Sequence, residues 1–188
     1  MPTRHNDIPL CVIEEQDISP ELDRAIRETL VVCFPADREY FGRQSWWHCV
    51  PIYRVLGRDD EGSVVAHAAV VERTVIVGPD LSKKLRVAGI QSCCVLQDYR
   101  GTGLSDKMMS VAMAEAKRRG FDAGLLFCLD QLKTVYGRMG WSKLDAAVYM
   151  ADDKEGKMLI PAKNITMFYP LKAKRFPAGD IDLVGTDW

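Results

Sequence analysis

The stretch that most constrains this chain is Cys93–Ser105, CCVLQDYRGTGLS. Here an apolar strand, read over Leu85–Leu96, runs into two glycines one residue apart and then straight into a helix. The helix is read over Leu104–Arg119, with Leu104, Met108, Val111 and Ala112 on one face. Lys117, Arg118 and Arg119 suit its C-terminus, and Gly120 is the expected terminator. A strand that feeds a helix through glycines presents unpaired helix amides, and a positive dipole end, to whatever sits in front of the turn. Two familiar uses of such a turn fail on residue identity. A dinucleotide fingerprint needs a third glycine where Asp106 stands. A Walker A loop needs a four-residue gap between glycines and a lysine directly before Ser or Thr, and neither occurs.

The remaining elements follow from periodicity and punctuation. Leu10–Glu14 reads as a first strand. Ser19, Pro20 and Glu21 read as a helix start, with Leu22, Ile26 and Leu30 on one face down to about Val32 and Pro35 as the stop. Ala36–Val50 is irregular and aromatic, with Tyr40, Phe41, Trp46 and Trp47, and is expected to form a short helix and a loop over a cleft. Tyr53–Leu56, Val64–Val77 and Leu85–Leu96 predict an antiparallel meander. Ala123–Leu129 predicts a strand, and Leu132, Val135, Tyr136 and Met139 a helix ended by Gly140. A last strand pair is expected over Ala146–Met150 and Ile165–Leu171. With no repeat or linker, the reading is one domain over residues 1–188. Its fold class is α/β (α+β), a mixed and mostly antiparallel sheet flanked by helices on both faces.

Bulk properties narrow the function classes. A formal net charge of −1 argues against a general nucleic-acid binder. No apolar run reaches the length of a membrane span, and Met1–Asp7 is polar without a signal-peptide core. The six cysteines are scattered except for adjacent Cys93 and Cys94, which a strand would point to opposite faces. None has paired zinc-site spacing, so no metal is expected. They are read as small buried hydrophobes in a reducing cytoplasm.

A third use of the turn survives. Arg100-Gly101-Thr102-Gly103-Leu104-Ser105 meets the first two fixed positions of the [R/Q]xxGx[G/A] pyrophosphate turn of acyl-CoA enzymes, with Ser105 in place of the final Gly or Ala. Helix amides suit a pyrophosphate, glycines let the backbone approach it, and Arg100 adds a charged donor. Glycines that only shape a tight connection would look the same. Further along, Tyr136–Trp141 (YGRMGW) is similar to a YxxxG[FW] element. Together the two motifs resemble the GNAT N-acetyltransferase superfamily, from about Leu10 to Leu171. Within it, Val65-Ala66-His67 and Tyr99-Arg100-Gly101 resemble the aminoglycoside 2′-N-acetyltransferases. Ser45-Trp46, Pro51, Arg54, Ala66-His67 and Phe176-Pro177-Ala178-Gly179 resemble the rhizobial nodulation protein A acyltransferases.

The resemblance implies acetyl-CoA as cosubstrate and a small-molecule amine as acceptor, with direct acyl transfer in a ternary complex. Cys93, Cys94 and Val95 are expected to hold the acyl and pantetheine portion through their backbone, with a Cys94 or Val95 N–H as oxyanion donor. The amides of Arg100, Gly101, Thr102, Gly103, Leu104 and Ser105 are expected to hold the pyrophosphate. Tyr136 is expected to protonate the leaving thiolate, since a tyrosine of pKa about 10 suits a thiol of pKa about 8.5. Dimers are common in this fold family, and a homodimer stays open. Cys93 and Cys94 show no feature that would make either a nucleophile.

One departure matters. Many GNAT enzymes place a glutamate where this chain has Gln91, and glutamine takes no proton at neutral pH. The carboxylate of the terminal Trp188 is the replacement the aminoglycoside group implies. Asp180, Asp182, His67 and a water chain stay open, although a solvated acidic tail and a satisfied core histidine are the plainer readings. Trp46 and Trp47 read equally as acceptor-pocket walls or as core. Charge near neutrality offers no global field for a polycation, so such an acceptor would need local acids such as Glu39, Asp180 or Asp187. A non-catalytic CoA-binding or regulatory protein is the alternative that Gln91 keeps alive.

Overall fold

A computed structural model describes residues 8–152 and 156–188; Met1–Asp7, read above as lacking a signal core, lie outside the described residues. The chain divides into two compact units, Met1–Val70 with Gln91–Ala112, and Val71–Ile90 with Met113–Trp188. Two long strands, β3 (Val64–Gly78) and β4 (Lys83–Val95), contribute residues to both.

In the first unit, β1 (Leu10–Glu14), β2 (Tyr53–Arg58) and the first part of β3 pair antiparallel. Helix α1 (Pro20–Cys33) starts as its sequence predicts: Ser19 Oγ accepts from the Leu22 amide at 3.2 Å and Pro20 opens the first turn. Its apolar stripe puts Ile26 and Leu30 in a core with Phe41, Leu56 and Val64. Ile26 and Leu30 are fully buried, which stabilises by roughly 1.5–3 kcal/mol for each side chain. The aromatic segment gives a single-turn α2 (Arg38–Phe41) and then an irregular loop. Trp47 packs into this core, 4.5 Å from the Tyr40 ring and 5.9 Å from Phe41. Trp46 lies over buried Arg54, ring centroid to guanidinium 6.0 Å. The first half of α3 (Leu104–Arg118) belongs here too, tied by the Tyr53 hydroxyl donating to the Ala112 carbonyl at 2.8 Å.

In the second unit the strand order is β6-β9-β5-β4-β3-β10-β7-β8. Here β5 is Ala123–Leu129, β6 Ser142–Leu144, β7 Val148–Asp152, β8 Gly156–Leu159, β9 Asn164–Pro170 and β10 Asp180–Asp182. β4 and β5 run parallel, Val87 opposite Ala123, as does β10 against β7; β5–β9, β6–β9, β7–β8 and β3–β10 are antiparallel. With α1, α2, α3 and a short α4 (Lys133–Arg138), this is the expected mixed, mostly antiparallel fold.

The structure corrects three expectations. The anticipated last strand pair does not form, because β9 sits between β6 and β5 while β7 sits between β10 and β8. The C-terminal tail is not a solvated acidic extension. Asp182 is 6% exposed, its carboxylate bonded to Lys157 and to the Val184 amide at 2.9 Å. Nor are the cysteines uniformly buried: Cys11 is exposed, Cys33, Cys49, Cys93 and Cys94 are half-buried, and Cys128 is buried.

Candidate functional site

The strand that leads to the glycine turn is not straight. Ser92, in β4, has φ +51, a left-handed conformation that a non-glycine residue holds at a cost of roughly 1–3 kcal/mol. The neighbours explain how it is held. The Ser92 carbonyl lies 2.8 Å from Nδ1 of His67, which is fully buried on β3. Just before it, the Gln91 side chain is tied at both ends. Its Oε1 accepts from the Trp47 amide, and its Nε2 donates to the Cys49 carbonyl at 2.6 Å. Glutamine supplies one acceptor and one donor there, and an ionised glutamate would have no proton for Cys49. Gln91 therefore clamps the aromatic loop onto β4.

Beyond the kink, the chain turns over Gln97–Tyr99 and reaches Arg100. Thr102 Oγ1 donates to the Tyr99 carbonyl at 2.8 Å, and Arg100 Nε donates to the Val95 carbonyl at 2.9 Å. Arg100 thus braces the strand end as well as carrying charge. Gly101 and Gly103 both have left-handed φ, +77 and +78, with nothing within 4 Å of where a Cβ would stand. Space in front of both glycines is open. The Lys107 amide makes the first helical bond, to the Gly103 carbonyl at 3.1 Å. The amides of Gly103, Leu104, Ser105 and Asp106 precede that ladder and face an unsatisfied helix end. Buried Leu104 anchors this end. Open space, glycine backbone and four unladdered amides fit a pyrophosphate; the Asp106 carboxylate opposes one.

A family model described as an acetyltransferase (GNAT) domain matches residues 19–144. This chain belongs to the GNAT acetyltransferase family. GNAT acetyltransferases use acetyl-CoA. An aminoglycoside 2′-N-acetyltransferase of Mycolicibacterium fortuitum is 25% identical over 130 residues, which is 69% of this chain and 63% of that protein. The match therefore spans less than two thirds of that relative. Among solved structures, the GNAT N-acetyltransferase YhbS of Escherichia coli, in complex with CoA, superposes with a TM-score of 0.61 at 17% identity. That match covers 95% of this chain and 91% of the other. An acyl-CoA N-acyltransferase of Pseudomonas aeruginosa gives 0.60 at 16% identity, over 87% and 99%. At these identities the superpositions show the fold.

The Cys94 thiol lies beside that of Cys33, at the end of α1. That contact, with the nearby Arg100 charge, brings Cys33 down to about 7 against the opposing effect of burial; Cys94 is pushed up by the same contact and by burial. Cys93 donates to the Met109 sulfur at 3.7 Å. The lowered thiol is Cys33, which the sequence does not single out because Cys94 and Arg100 come near it only in the fold. His67 is brought down to about 3, by burial first and by the Arg54 charge second. It is a satisfied core histidine, neutral at physiological pH.

In the second unit, Tyr136 lies half-buried on α4, its ring 6.3 Å from Trp141 and edge-on to it. The Tyr136 carbonyl accepts from the amides of Met139 and Trp141 at 2.9 and 3.1 Å, closing the helix before Gly140. Trp188 is 5% exposed. Its indole lies against Gly89, where a Cβ would come within 2.4 Å of the ring, and 4.9 Å from the Phe127 ring. The Arg73 guanidinium lies 5.6 Å from the indole centroid. The indole N–H has no partner among the described residues. Asp182, held by Lys157 and the Val184 amide against the effect of burial, is kept below the usual carboxylate range.

Proposed function

We propose that this chain is an acyl-CoA-dependent N-acyltransferase, moving acetyl from acetyl-CoA to a primary amine, foremost an amino sugar or aminoglycoside. In this reading residues 1–188 act as one catalytic domain in a reducing cytoplasm, and transfer is direct within a ternary complex. The observation that carries it is the turn from Arg100 to Ser105: two left-handed glycines facing open space at the head of α3, in a chain of the GNAT family. The Gly103–Asp106 amides and Arg100 take the pyrophosphate. The Cys94 or Val95 N–H donates to the acyl oxygen as charge develops there. Tyr136 hands its proton to the departing sulfur, and the attacking amine gives its proton to a base other than Gln91, whose amide takes none at neutral pH. The aminoglycoside 2′-N-acetyltransferase of M. fortuitum supports the acceptor class.

A second reading, a CoA-binding protein without turnover, has one observation in its favour. Gln91, at the position where the resemblance implies a base, takes no proton at neutral pH, and both ends of its side chain are engaged by the aromatic loop. Thiol release from acetyl-CoA, measured against a polyamine, a peptide amine, an amino sugar and an aminoglycoside with a free 2′-amine, separates the two. The expected result is release with at least one sugar amine, falling about a hundredfold or more in Tyr136→Phe. Binding of acetyl-CoA with no release on any amine would favour the second reading.

A further inference from the structure

We propose that His67 is a positioning residue for acyl transfer: it holds the kink at Ser92 and so sets the direction of the Cys93, Cys94 and Val95 amides. The inference rests on the acyltransferase reading above.

Behind His67 stands an ion pair between a fully buried Arg54 and a half-buried Glu15. Glu15 receives Arg54 on two prongs, Nε at 2.7 Å and Nη2 at 2.6 Å, and Arg54 is fully buried. The remaining Nη1 donates to the Ser45 carbonyl at 3.0 Å and to Ser45 Oγ at 2.8 Å, and faces His67 Nε2 at 3.5 Å. Ser45 Oγ in turn donates to Asp23. Arginine only donates, so His67 Nε2 must present its lone pair. The carbonyl of Ser92 only accepts, so Nδ1 must carry the proton. Both neighbours demand the same neutral tautomer. The imidazole faces Arg54 Nη1, whose two hydrogens go to Ser45, and spends its only N–H on the kink.

That N–H matters because Ser92 is not a glycine. Its left-handed φ is unfavourable on its own and persists only where surrounding contacts hold it. The Ser92 hydroxyl is buried and makes no hydrogen bond among the described residues, so the side chain does not tether the kink; the carbonyl does. The strand is rejoined to β3 at the Leu96 amide, which donates to the Val65 carbonyl at 2.9 Å. Cys93, Cys94 and Val95 therefore lie between the Ser92 carbonyl at one end and, at the other, the Val95 carbonyl held by Arg100 and the Leu96 amide held by β3. Moving the first end rotates their peptide planes, and an oxyanion donor works only when aimed at where the charge develops. His67 touches neither substrate nor cosubstrate in this scheme, and acts through Ser92.

Two conservative variants test this on the intact protein. Asparagine at position 67 places an amide near Nδ1 and keeps a donor for Ser92; glutamine places it near Nε2, toward Arg54. The probe is [1-¹³C]acetyl-CoA, read by calorimetry for affinity and by NMR for the bound carbonyl resonance. We expect wild type to bind and to move the carbonyl downfield of free acetyl-CoA. His67→Asn should keep that displacement. His67→Gln should lose it with unchanged affinity, and with turnover on any accepted amine down by about tenfold to a hundredfold. The proposal is overturned if His67→Gln keeps the displacement, or if both variants lose it alike, which would mark His67 as packing only. Binding by wild type without a downfield move overturns it too, leaving CoA binding intact. No binding at all removes the acyltransferase reading itself.

Discussion

The kink at Ser92 and the turn at Gly101–Gly103 are both left-handed backbone on the same connection, and they are made in opposite ways. At the turn, two glycines adopt φ near +78 with no steric cost and with open space around them. At the kink, a serine is held at φ +51 by a buried histidine, itself fixed by a buried arginine and its glutamate. Local sequence makes the first and tertiary contacts impose the second. The turn is accordingly left free to meet a ligand, while the kink is committed to the fold.

If that contrast is right, the kink should fail through stability and the turn through binding. The largest effect is expected from Arg54→Met, which strands Glu15 and removes the group that orients His67. Breaking a buried pair from one side costs about 3–5 kcal/mol, to be read from urea unfolding at pH 7. A loss below about 1 kcal/mol would mean the ion pair does not support the kink.

His67 itself gives a pH signature. Its folded value is about 3 against an ordinary 6.5, so between these limits the unfolded chain binds one more proton than the native one. Stability then rises with pH across that window and is lost as pH falls. The wild type should lose about 2 kcal/mol more than His67→Gln between pH 7 and pH 5. Parallel pH curves for the two proteins would show that His67 is not held neutral.

At the turn, Gly103→Ala should cost only about 1 kcal/mol, the strain of a side chain at positive φ, since no atom waits to clash. Its acetyl-CoA affinity should fall by a larger factor than that strain accounts for. Equal losses in stability and binding would erase the contrast.

The same distinction explains what was legible in the sequence. The Ser19-Pro20 helix start, the long strands β3 and β4, helix α3 and the glycine turn are all written in local periodicity and punctuation, and the fold contains each of them. Ser92 carries no such mark: its conformation is set by a residue 25 positions away. Gln91 was readable as a missing base, but its role as a clamp depends on Trp47 and Cys49, which only the fold brings to it. The short strands β6, β8 and β10, of three or four residues, are too brief for alternation to show. Trp188 sits against the sheet because Gly89 leaves room, a pairing of two distant residues that no local pattern announces.

The central claim is that the head of α3 binds the pyrophosphate of acyl-CoA, and Ser105→Glu tests it most directly. An acid in the first turn favours the helix dipole, so the variant should fold as well as wild type, while its carboxylate repels a bound phosphate. Calorimetric titration of acetyl-CoA into both proteins should show binding by wild type and none by Ser105→Glu, at matched thermal stability. Equal affinity in the two proteins, or no binding by wild type, would contradict the account.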